Sequence, residues 1–395
     1  MEKMKKEKNS EFKGTRVLVL DGYGRQIPTI LRQLHDLGCV VTTVNASKLD
    51  CGYTSRYPNK KILCPGCKSD MAELKELLDK EITSGQYDVV FPMLEPATDI
   101  LLTNEVVYEK YVKIIAAPEP AFRKAEDKQQ TMMACMDNGI PCPITKRDDE
   151  TFDEYIAKVG YPIAVKPRKG TGSVGFHCVE NEEQMSTLRL QGFKDEENVI
   201  QEYIPQTDTQ YMGFFMLGEN QELKTALIVE KHRWYPIDGG SSCYIQTINR
   251  PDLIENGYKL LKTIGWKGEA HLDFIGDPRE DGLPKIMEVN GRIPASVKMC
   301  WVAGIPLVEQ ELQYACGKPI DTCLKKVPEG MGLRYFQTDF LWLLKSPNRF
   351  KTKPSWFNFK NSKDYIWSVK DPIPFISYTI SHLLTFKVEM KKRKR

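Results

Sequence analysis

Two acids, an amide and a guanidinium stand at strand-like spacing in the second half of the chain, a set suited to holding a metal ion and phosphates. Asp273 lies in the apolar run 271–275, and Glu288, Asn290 and Arg292 occupy alternate positions of a later run. Alternate residues of a β-strand project from one face, so these three should project together, with Asp273 facing them from a neighbouring strand. Carboxylate and amide oxygens suit Mg²⁺ or Mn²⁺, whereas a guanidinium suits phosphate. We therefore predict Asp273, Glu288 and Asn290 as metal ligands and Arg292 as a catalytic residue.

A lysine followed by a glycine-rich segment stands earlier in the chain, at residues 166–175. Lys166 ends an apolar run that is typical of a strand, where its compact charge could reach a phosphate. Glycines let backbone N–H groups approach and surround an anion, and hydroxyl groups add further donors. The pattern therefore predicts a phosphate-binding loop. Its candidate contacts are Lys166, Lys169, Gly170, Thr171, Gly172, Ser173 and Gly175.

These two regions, with the shorter motifs around them, resemble the ATP-grasp superfamily in its carbamoyl-phosphate-synthase-like and biotin-carboxylase-like subtype. The resemblance covers residues 15–320. Each motif alone would be weak evidence, but all of them occur in the order of the family. The motifs are Asp127-Lys128, Val165-Lys166-Pro167, residues 169–175, residues 199–205, Asp273 and residues 288–292.

The resemblance implies a fold that combines the α/β and α+β classes. A Rossmann-like pre-ATP-grasp domain would precede an ATP-grasp fold, in which two α+β subdomains clasp ATP, and a C-terminal extension would follow. We expect a disordered N-terminus at 1–14, the pre-ATP-grasp domain at 15–121, the ATP-grasp domain at 122–320 with its lid at about 140–204, and the extension with its basic tail at 321–395.

The expected N-terminal domain begins with the pattern of a strand, a helix and a second strand, which is typical of a parallel, doubly wound sheet. Gly22 and Gly24 lack the third glycine of the dinucleotide fingerprint because Ile27 stands in its place, which argues against NAD binding. Glu95 and Thr98 follow a later strand, so both are candidate substrate contacts. The alternative is that they cap the next helix.

The resemblance also implies how the nucleotide would be held. Lys128 would reach the phosphates, and residues 199–204 would form a hinge whose backbone groups read the edge of the adenine. The carboxylate expected on the ribose hydroxyls is assigned to Asp208, with Gln210 as the competing residue. The hinge contacts are Gln201, Glu202, Tyr203 and Ile204.

Clustered positive charge precedes a Gly-Gly-Ser-Ser segment at residues 239–242. In the family this region touches triphosphate or acceptor, so Lys231 and Arg233 are candidate catalytic residues, and a solvated hairpin is the alternative. His271 stands two residues before Asp273 and is interpreted as a hydrogen-bonded core residue.

The composition excludes several classes of protein. A net charge of +3 among 395 residues argues against a general nucleic-acid binder. The N-terminus lacks the apolar segment of a secretory signal, and 11 scattered cysteines indicate free thiols in a reducing cytoplasm. The Cys64-Pro-Gly-Cys67 pair is interpreted as structural, with half of a zinc site as the alternative.

The chain ends in an apolar stretch at residues 375–388, followed by five basic residues at 391–395. Such a segment is too short and too interrupted to span a bilayer, but it fits peripheral attachment at an inner membrane surface. The alternatives are a helix packed on the rest of the protein and a basic localisation or nucleic-acid patch.

The leading functional prediction is a cytoplasmic ATP- and Mg-dependent carboxylate–amine ligase that acts through an acyl phosphate and releases ADP and phosphate. One alternative is an enzyme that phosphorylates bicarbonate, as carbamoyl-phosphate synthase and biotin carboxylase do. Another is a non-catalytic nucleotide-binding scaffold at a membrane surface. Small-molecule carboxylates and amines are the expected partners. A homodimer is common among relatives, and the sequence does not identify the acceptors.

Overall fold

The computed structural model describes residues 11–170, 175–205, 209–237, 241–279 and 283–392, with side chains described up to residue 384. Contact clustering of the chain gives two compact units. Unit 1 extends to Ala116 and is completed by Arg292–Cys323 and Lys363–Leu384, while unit 2 comprises Ala117–Gly291 and Leu324–Ser362. Most of the segment predicted to be disordered, 1–14, lies outside the described residues, but residues 11–14 form a turn in which Phe12 is buried.

Unit 1 is built on a parallel sheet of five strands in the order β3-β2-β1-β4-β5. Helix α1 repeats apolar residues at helical spacing, so that Ile27, Ile30, Leu31 and Leu34 are all buried. The elements are β1 (Arg16–Val19), α1 (Ile27–Asp36), β2 (Val40–Asn45), α2 (Cys51–Thr54), β3 (Lys60–Leu63), α3 (Met71–Thr83), β4 (Val89–Phe91), α4 (Glu95–Thr103), α5 (Glu105–Tyr108) and β5 (Lys113–Ile114).

The first part of unit 2 contains a small antiparallel sheet in the order β7-β6-β8, which packs on two helices. Thr151 and Glu154 form a capping box at the start of one of them, α8. The elements are α6 (Glu119–Glu126), α7 (Lys128–Asp137), α8 (Phe152–Val159), β6 (Ile163–Pro167), β7 (His177–Val179), α9 (Glu182–Leu190) and β8 (Asn198–Glu202).

The larger sheet of unit 2 has the strand order β13-β12-β9-β10-β11-β14-β15. Its strands β9 to β13 pair antiparallel, and the parallel sheet of unit 1 together with these antiparallel sheets confirms the predicted α/β and α+β classes. The elements of this part are β9 (Gln210–Leu217), β10 (Leu223–Tyr235), β11 (Ser241–Ile248), α10 (Pro251–Thr263), β12 (Gly268–Ile275) and β13 (Lys285–Asn290).

The C-terminal part of the chain, predicted as an extension at 321–395, contributes to both units. Strand β14 pairs with β11, so it adds an edge to the large sheet of unit 2, whereas 363–384 belongs to unit 1. Within the described residues, no helix combines the length and apolar character needed to cross a membrane. The remaining elements are α11 (Lys298–Val302), α12 (Leu307–Ala315), β14 (Gly332–Arg334), α13 (Phe336–Lys345), β15 (Ser362–Asp364) and α14 (Ile373–Lys392).

Candidate functional site

The register of β12 and β13 brings together the three residues predicted to bind metal. Asp273 stands directly opposite Glu288, and Asn290 stands opposite His271, two positions further along the same pair of strands. Opposite residues of an antiparallel pair project from the same face, so the two carboxylates and the amide share one side of the sheet. A register shift follows Asp273, and such irregularities often lie beside functional sites.

The donor set of Asp273, Glu288 and Asn290 fits a cation that is also held by phosphate. Two carboxylates and an amide are too few for a closed protein cage, and the described residues contain no cluster of three or more His, Cys, Asp or Glu that could hold a metal ion. Mg²⁺ at nucleotide sites is commonly held by one or two carboxylates together with phosphate oxygens and water. Among the described residues, the buried side-chain nitrogen of Asn290 has no hydrogen-bond partner, so it could donate to a phosphate oxygen while the amide oxygen faces the cation.

Each of the two carboxylates has a lysine beside it. The Lys231 Nζ lies 2.5 Å from an oxygen of Asp273, and the Lys128 Nζ lies 4.0 Å from an oxygen of Glu288. Lys128 also donates a 2.6 Å hydrogen bond to the carbonyl of Gly170, at the start of the glycine-rich loop. A metal ion could replace the lysines as the partner of the two carboxylates, and phosphates could replace the carboxylates as the partner of the lysines. No charge would then be left buried without a partner.

Lys128 is placed by the local sequence before it. Asp127 is the N-cap of α7, and its carboxylate accepts from the backbone N–H of Gln129 at 2.9 Å. Capping fixes the start of the helix, so that Lys128 becomes its first residue. The pair Asp127-Lys128 therefore combines a structural role for the acid with a charged role for the lysine.

Lys166 is the third lysine of this region, on strand β6. Desolvation by the surrounding protein lowers the pKa of its ammonium group to about 8, the nearby Glu288 carboxylate opposes that shift, and Lys128 adds to it. A cation held in this state gains when an anion arrives, because the anion restores the charge interaction that water would otherwise supply. Lys166 is therefore poised to bind phosphate.

The glycine-rich loop is described only at its two ends. Gly170 has φ +123° and Gly175 has φ +74°, both in the region that favours glycine. A Cβ at Gly175 would also come within 2.8 Å of the Pro167 side chain. The Lys169 Nζ lies 2.8 Å from a carboxylate oxygen of Glu126 in an exposed ion pair. Thr171, Gly172 and Ser173 lie outside the described residues.

The predicted hinge is anchored through the side chain of Glu202. Its buried carboxylate accepts hydrogen bonds from the Lys285 ammonium at 3.0 Å, the Arg279 guanidinium at 2.7 Å and the backbone N–H of Ile144 at 2.9 Å. The backbone N–H of Glu202 donates to the Ile144 carbonyl at 2.8 Å. This side chain is therefore occupied by structural contacts rather than presented to a ligand.

Other groups of the hinge are engaged as well. Tyr203 donates from its backbone N–H to Pro162, and its carbonyl accepts from Arg279 at 3.0 Å. Gln201 is buried, and its side-chain oxygen has no hydrogen-bond partner within the part of the chain that the structure describes. Ile204 is buried as well, whereas Asp208 lies outside the described residues and its competitor Gln210 is half-buried at the start of β9.

The charged network behind the hinge was missed by the sequence analysis. Asp277 accepts from the Arg279 guanidinium and lies 3.0 Å from the Lys285 ammonium. Hydrogen bonds from Arg279, and then the cation of Lys285, hold the pKa of the Asp277 carboxyl well below its usual range. The sequence signal was weak, because the partner Glu202 stands far from these residues in the chain.

Arg233 does not join the candidate site, and the prediction that it is catalytic is corrected here. Its guanidinium is fully buried and makes a two-pronged ion pair with Asp339, with nitrogen–oxygen distances of 2.6 and 3.1 Å. It also lies 3.9 Å from the ring centre of Tyr244. Register shifts on both sides of Arg233 break the simple alternation that would have placed it beside Lys231. Its role in the fold is structural.

Arg292 lies beyond the end of β13 and belongs to unit 1. Its Nε is 3.7 Å from a carboxylate oxygen of Glu95, the first residue of α4. Thr98, the other candidate substrate contact, is buried and donates to the Leu94 carbonyl at 3.1 Å, which assigns it to the first turn of the helix. Glu95 and Arg292 thus form a partly exposed pair of opposite charges.

Asp21 is a further residue that the sequence analysis did not single out. It follows β1, has φ +55°, and its carboxylate accepts from the backbone N–H groups of Met93 and Leu94 at 3.2 and 3.0 Å. Burial raises the pKa of this carboxyl to about 6 despite those hydrogen bonds. The contact joins the ends of β1 and β4, where the strand order of a doubly wound sheet reverses and ligands commonly bind.

Comparison with known sequences finds the same family that the motifs resemble. Residues 125–296 match the family described as ATP-grasp domain. The carbamoyl phosphate synthase large chain of Xylella fastidiosa is 23% identical over 291 residues, which cover 69% of this chain and 27% of that protein. The chain therefore spans a third or less of the length of the curated relatives it matches first.

Solved structures show the same fold at low sequence identity. The biotin carboxylase domain of Hydrogenobacter thermophilus 2-oxoglutarate carboxylase, solved with MgADP, ADP and bicarbonate, superposes with a TM-score of 0.65 at 16% identity. That alignment covers 80% of this chain and 73% of the other. The L-amino acid ligase of Bacillus licheniformis superposes with a TM-score of 0.59 at 17% identity, and covers 78% and 75% of the two chains.

Proposed function

We propose that the chain is an ATP-dependent carboxylate–amine ligase that releases ADP and phosphate, because its residues 125–296 match the ATP-grasp domain family. The observation that carries this proposal is the cluster of charges on unit 2. Asp273 and Glu288 stand opposite each other on one sheet face, each beside a lysine, and Lys166 has a desolvated ammonium group near Glu288. The cluster offers ligands for a metal ion and for a chain of phosphates together.

In this proposal the triphosphate contacts Lys128 and Lys166, and the glycine-rich loop closes over it. The loop residues proposed to take part are Lys169, Gly170, Thr171, Gly172, Ser173 and Gly175. Closure would exclude the water that hydrolyses reactive intermediates. The adenine would meet the carbonyl of Glu202 and the backbone N–H of Ile204. The carboxylate and the backbone N–H of Glu202 are already used inside the protein, as are both backbone groups of Tyr203. The ribose would be held by Asp208 or Gln210.

Asp273, Glu288 and Asn290 are proposed to hold Mg²⁺, or Mn²⁺ in its place. The bound cation would neutralise the charge of the β- and γ-phosphates. For that to happen, Asp273 and Glu288 must turn from lysine partners to metal ligands. The ammonium groups of Lys231 and Lys128 are then free to face phosphate oxygens, so the charge balance of the site is kept.

The proposed reaction has two steps. An oxygen of the substrate carboxylate attacks the γ-phosphorus in line, the new oxygen–phosphorus bond forms as the bond to the ADP oxygen breaks, and an acyl phosphate results. The nitrogen of an amine then attacks the acyl carbon, and phosphate leaves with the bonding electron pair while the nitrogen gives up a proton. Lys128, Lys166 and Lys231 stabilise the charge on the phosphoryl oxygens.

Arg292 and Glu95 are proposed to bind the acceptor within unit 1. A guanidinium and a carboxylate 3.7 Å apart can pair with the anionic and cationic groups of a small zwitterion. This pairing would orient a carboxylate or an amine without taking part in bond making. Its test is the KM of the acceptor, which should rise in an Arg292→Ala variant while the KM of ATP changes little.

Bicarbonate is the second candidate acceptor. One solved structure of similar fold is a complex with MgADP, ADP and bicarbonate, and bicarbonate presents an attacking oxygen as a carboxylate does. Phosphorylation would then give a carboxyphosphate rather than an acyl phosphate of an organic acid. The two candidate reactions require different phosphoryl acceptors, an organic carboxylate or bicarbonate, so one assay distinguishes them.

The experiment is ADP release by the full chain with Mg-ATP and a panel of amino acids, sugar acids and bicarbonate, each with and without amines. The proposal expects release that requires one organic carboxylate and rises with one amine, and hydroxylamine should trap the acyl phosphate as a hydroxamate. Release that depends on bicarbonate alone would establish the second candidate. Tight ATP binding without acceptor-dependent release across the panel would favour the non-catalytic scaffold.

Two proposals about partners complete this picture. We propose that the chain forms a homodimer, since one structure of similar fold is described as a dimer, and light scattering of the purified protein would measure this directly. We also propose that the tail at 375–395 contacts a membrane surface through its apolar stretch and five basic residues.

A further inference from the structure

Unit 2 carries a continuous group of aromatic rings at its surface, made of Phe336, Phe340, Trp356, Phe357 and Phe359 and called here the aromatic surface. Phe336 and Phe340 stack with ring centres 6.0 Å apart, and Phe340 lies 6.4 Å from Trp356. Phe357 and Phe359 each meet Trp356 edge to face at 5.3 Å. Trp356 is buried beneath the others, which are 37% to 57% exposed.

The exposure of these rings follows from the pattern of α13. Phe336, Phe340 and Leu344 recur every four residues and form an exposed apolar stripe along one side of the helix. The other side carries Asp339 and Trp342, which are buried against the sheet. The helix has therefore already satisfied its core-facing side, and the stripe is a second apolar side that the described protein leaves in water.

Buried ion pairs hold the aromatic surface rigidly in place. Arg334 donates to the backbone carbonyl of Trp356 at 2.6 Å and lies 3.1 Å from the Asp339 carboxylate. The indole N–H of Trp356 donates to the Asp339 carbonyl at 3.1 Å, and the same Asp339 carboxylate pairs with Arg233. These contacts hold the rings in place before any partner binds, so binding would cost little conformational entropy of the protein.

The segment that carries these rings is strongly basic. From Phe340 to Ser362 it contains no acidic residue. All five of its basic side chains are exposed, as is Phe350, at 76%. The basic residues are Lys345, Arg349, Lys351, Lys353 and Lys360.

We propose that the aromatic surface docks onto an anionic lipid membrane. Aromatic and aliphatic side chains beside a cluster of lysines and arginines are the combination that binds the interface of a charged bilayer. A second copy of this chain is a poorer partner, because a symmetric contact would oppose two basic segments of the same sign. The site is separate from the tail at 375–395, which contributes none of these residues.

The test is co-sedimentation of the full chain with vesicles of phosphatidylcholine alone or mixed with phosphatidylserine. Binding is expected only to the anionic vesicles and should weaken with added salt. Each basic residue near such a surface contributes about 1 kcal/mol, which is about fivefold in affinity. The double variant Lys351→Glu/Lys360→Glu should therefore bind at least about 25-fold more weakly. Its control, Lys80→Glu/Lys158→Glu, changes exposed lysines outside the segment and should bind as the unaltered protein does.

A second pair of variants tests the apolar contribution separately. Phe350→Ser/Phe357→Ser removes exposed rings without touching Trp356, whereas Leu190→Ser removes an apolar side chain that is 90% exposed on α9. The first should bind the anionic vesicles more weakly than the unaltered protein, because only the tail at 375–395 is then left to contact them. The second should bind as the unaltered protein does, and both variants should remain folded at the assay temperature.

Three results would overturn the proposal. The first is equal binding to neutral and anionic vesicles, or to neither. The second is binding that survives both aromatic-surface variants but is lost when the five basic residues at 391–395 are replaced by serine in the full chain. The third is binding to a single-stranded RNA oligonucleotide in place of vesicles, which would make the basic aromatic segment a nucleic-acid site.

Discussion

Two ion pairs on one strand of unit 2 show how similar charges take opposite roles. Lys231 pairs with Asp273 while 14% and 24% of the two side chains stay exposed, whereas Arg233 pairs with Asp339 with neither side chain exposed at all. The first pair is partly exposed, so ligands can reach it and replace either partner. The second pair is fully buried among aromatic rings. Lys231 therefore belongs to the proposed reaction site, whereas Arg233, two positions further along the strand, supports the aromatic surface.

The largest effect is expected when the buried ion pair of Arg233 and Asp339 is broken. Arg233→Ala should lower the free energy of unfolding by about 3–5 kcal/mol, because it leaves the Asp339 carboxylate buried without its main partner. Urea unfolding measures this change. Arg147→Ala is the control, since its ion pair with Asp137 is exposed to solvent and should contribute little to stability. Equal losses in the two variants would contradict the structural role of Arg233.

The next largest effect is expected at the proposed metal site, which includes the partly exposed pair. Glu288→Gln keeps the shape of the side chain but removes the charge that a metal ion and Lys128 would meet, so ADP release should fall by about a hundredfold or more. Circular dichroism should show an unchanged fold. Glu219→Gln, at an exposed ion pair with Lys267, should retain activity. Near-normal turnover in Glu288→Gln would remove Glu288 from the proposed metal site.

A smaller effect concerns Lys166 and pH. Below about 8 its ammonium group is protonated, so the KM for ATP should rise as pH increases through that value and the positive charge is lost. Lys166→Arg, which stays charged, should flatten this dependence. The free energy of unfolding should increase over the pH range in which ATP binding weakens. Between about 8 and the ordinary lysine pKa of 10.5 the unfolded chain binds more protons, so this group adds stability as pH rises. A pH-independent KM in the unaltered protein would contradict the assignment.

The smallest effect is expected at the rim of the glycine-rich loop. Lys169 pairs with Glu126 in an exposed ion pair, which should contribute less than about 1 kcal/mol to folding. Lys169→Ala should leave the unfolding temperature nearly unchanged and raise the KM for ATP only a few-fold. Scanning calorimetry and initial rates measure the two quantities. A large loss of stability would mean that Lys169 holds the loop rather than the nucleotide.

The sequence by itself was enough for features that depend on local spacing. Alternate positions along β13 place Glu288 and Asn290 on one face, and that follows from the two-residue period of any strand. The parallel sheet of unit 1 also followed from the pattern of strand, helix and strand, whereas the α+β class of the second part was implied by the resemblance to the ATP-grasp family. Gly170 and Gly175 were predicted as phosphate contacts from the glycine-rich pattern, and the structure adds that both have positive φ angles, which glycine adopts readily.

Only the tertiary structure decided features that depend on contacts between distant residues or on breaks in a local pattern. Irregular pairing of β10 and β11 sends Arg233 into the protein, although alternation alone would place it beside Lys231. The hinge carboxylate of Glu202 meets Lys285 and Arg279 because the sheets bring together segments far apart in the chain. The sequence specifies side-chain chemistry and short periods, but which charges are sealed and which stay open is set by the packing of the whole unit.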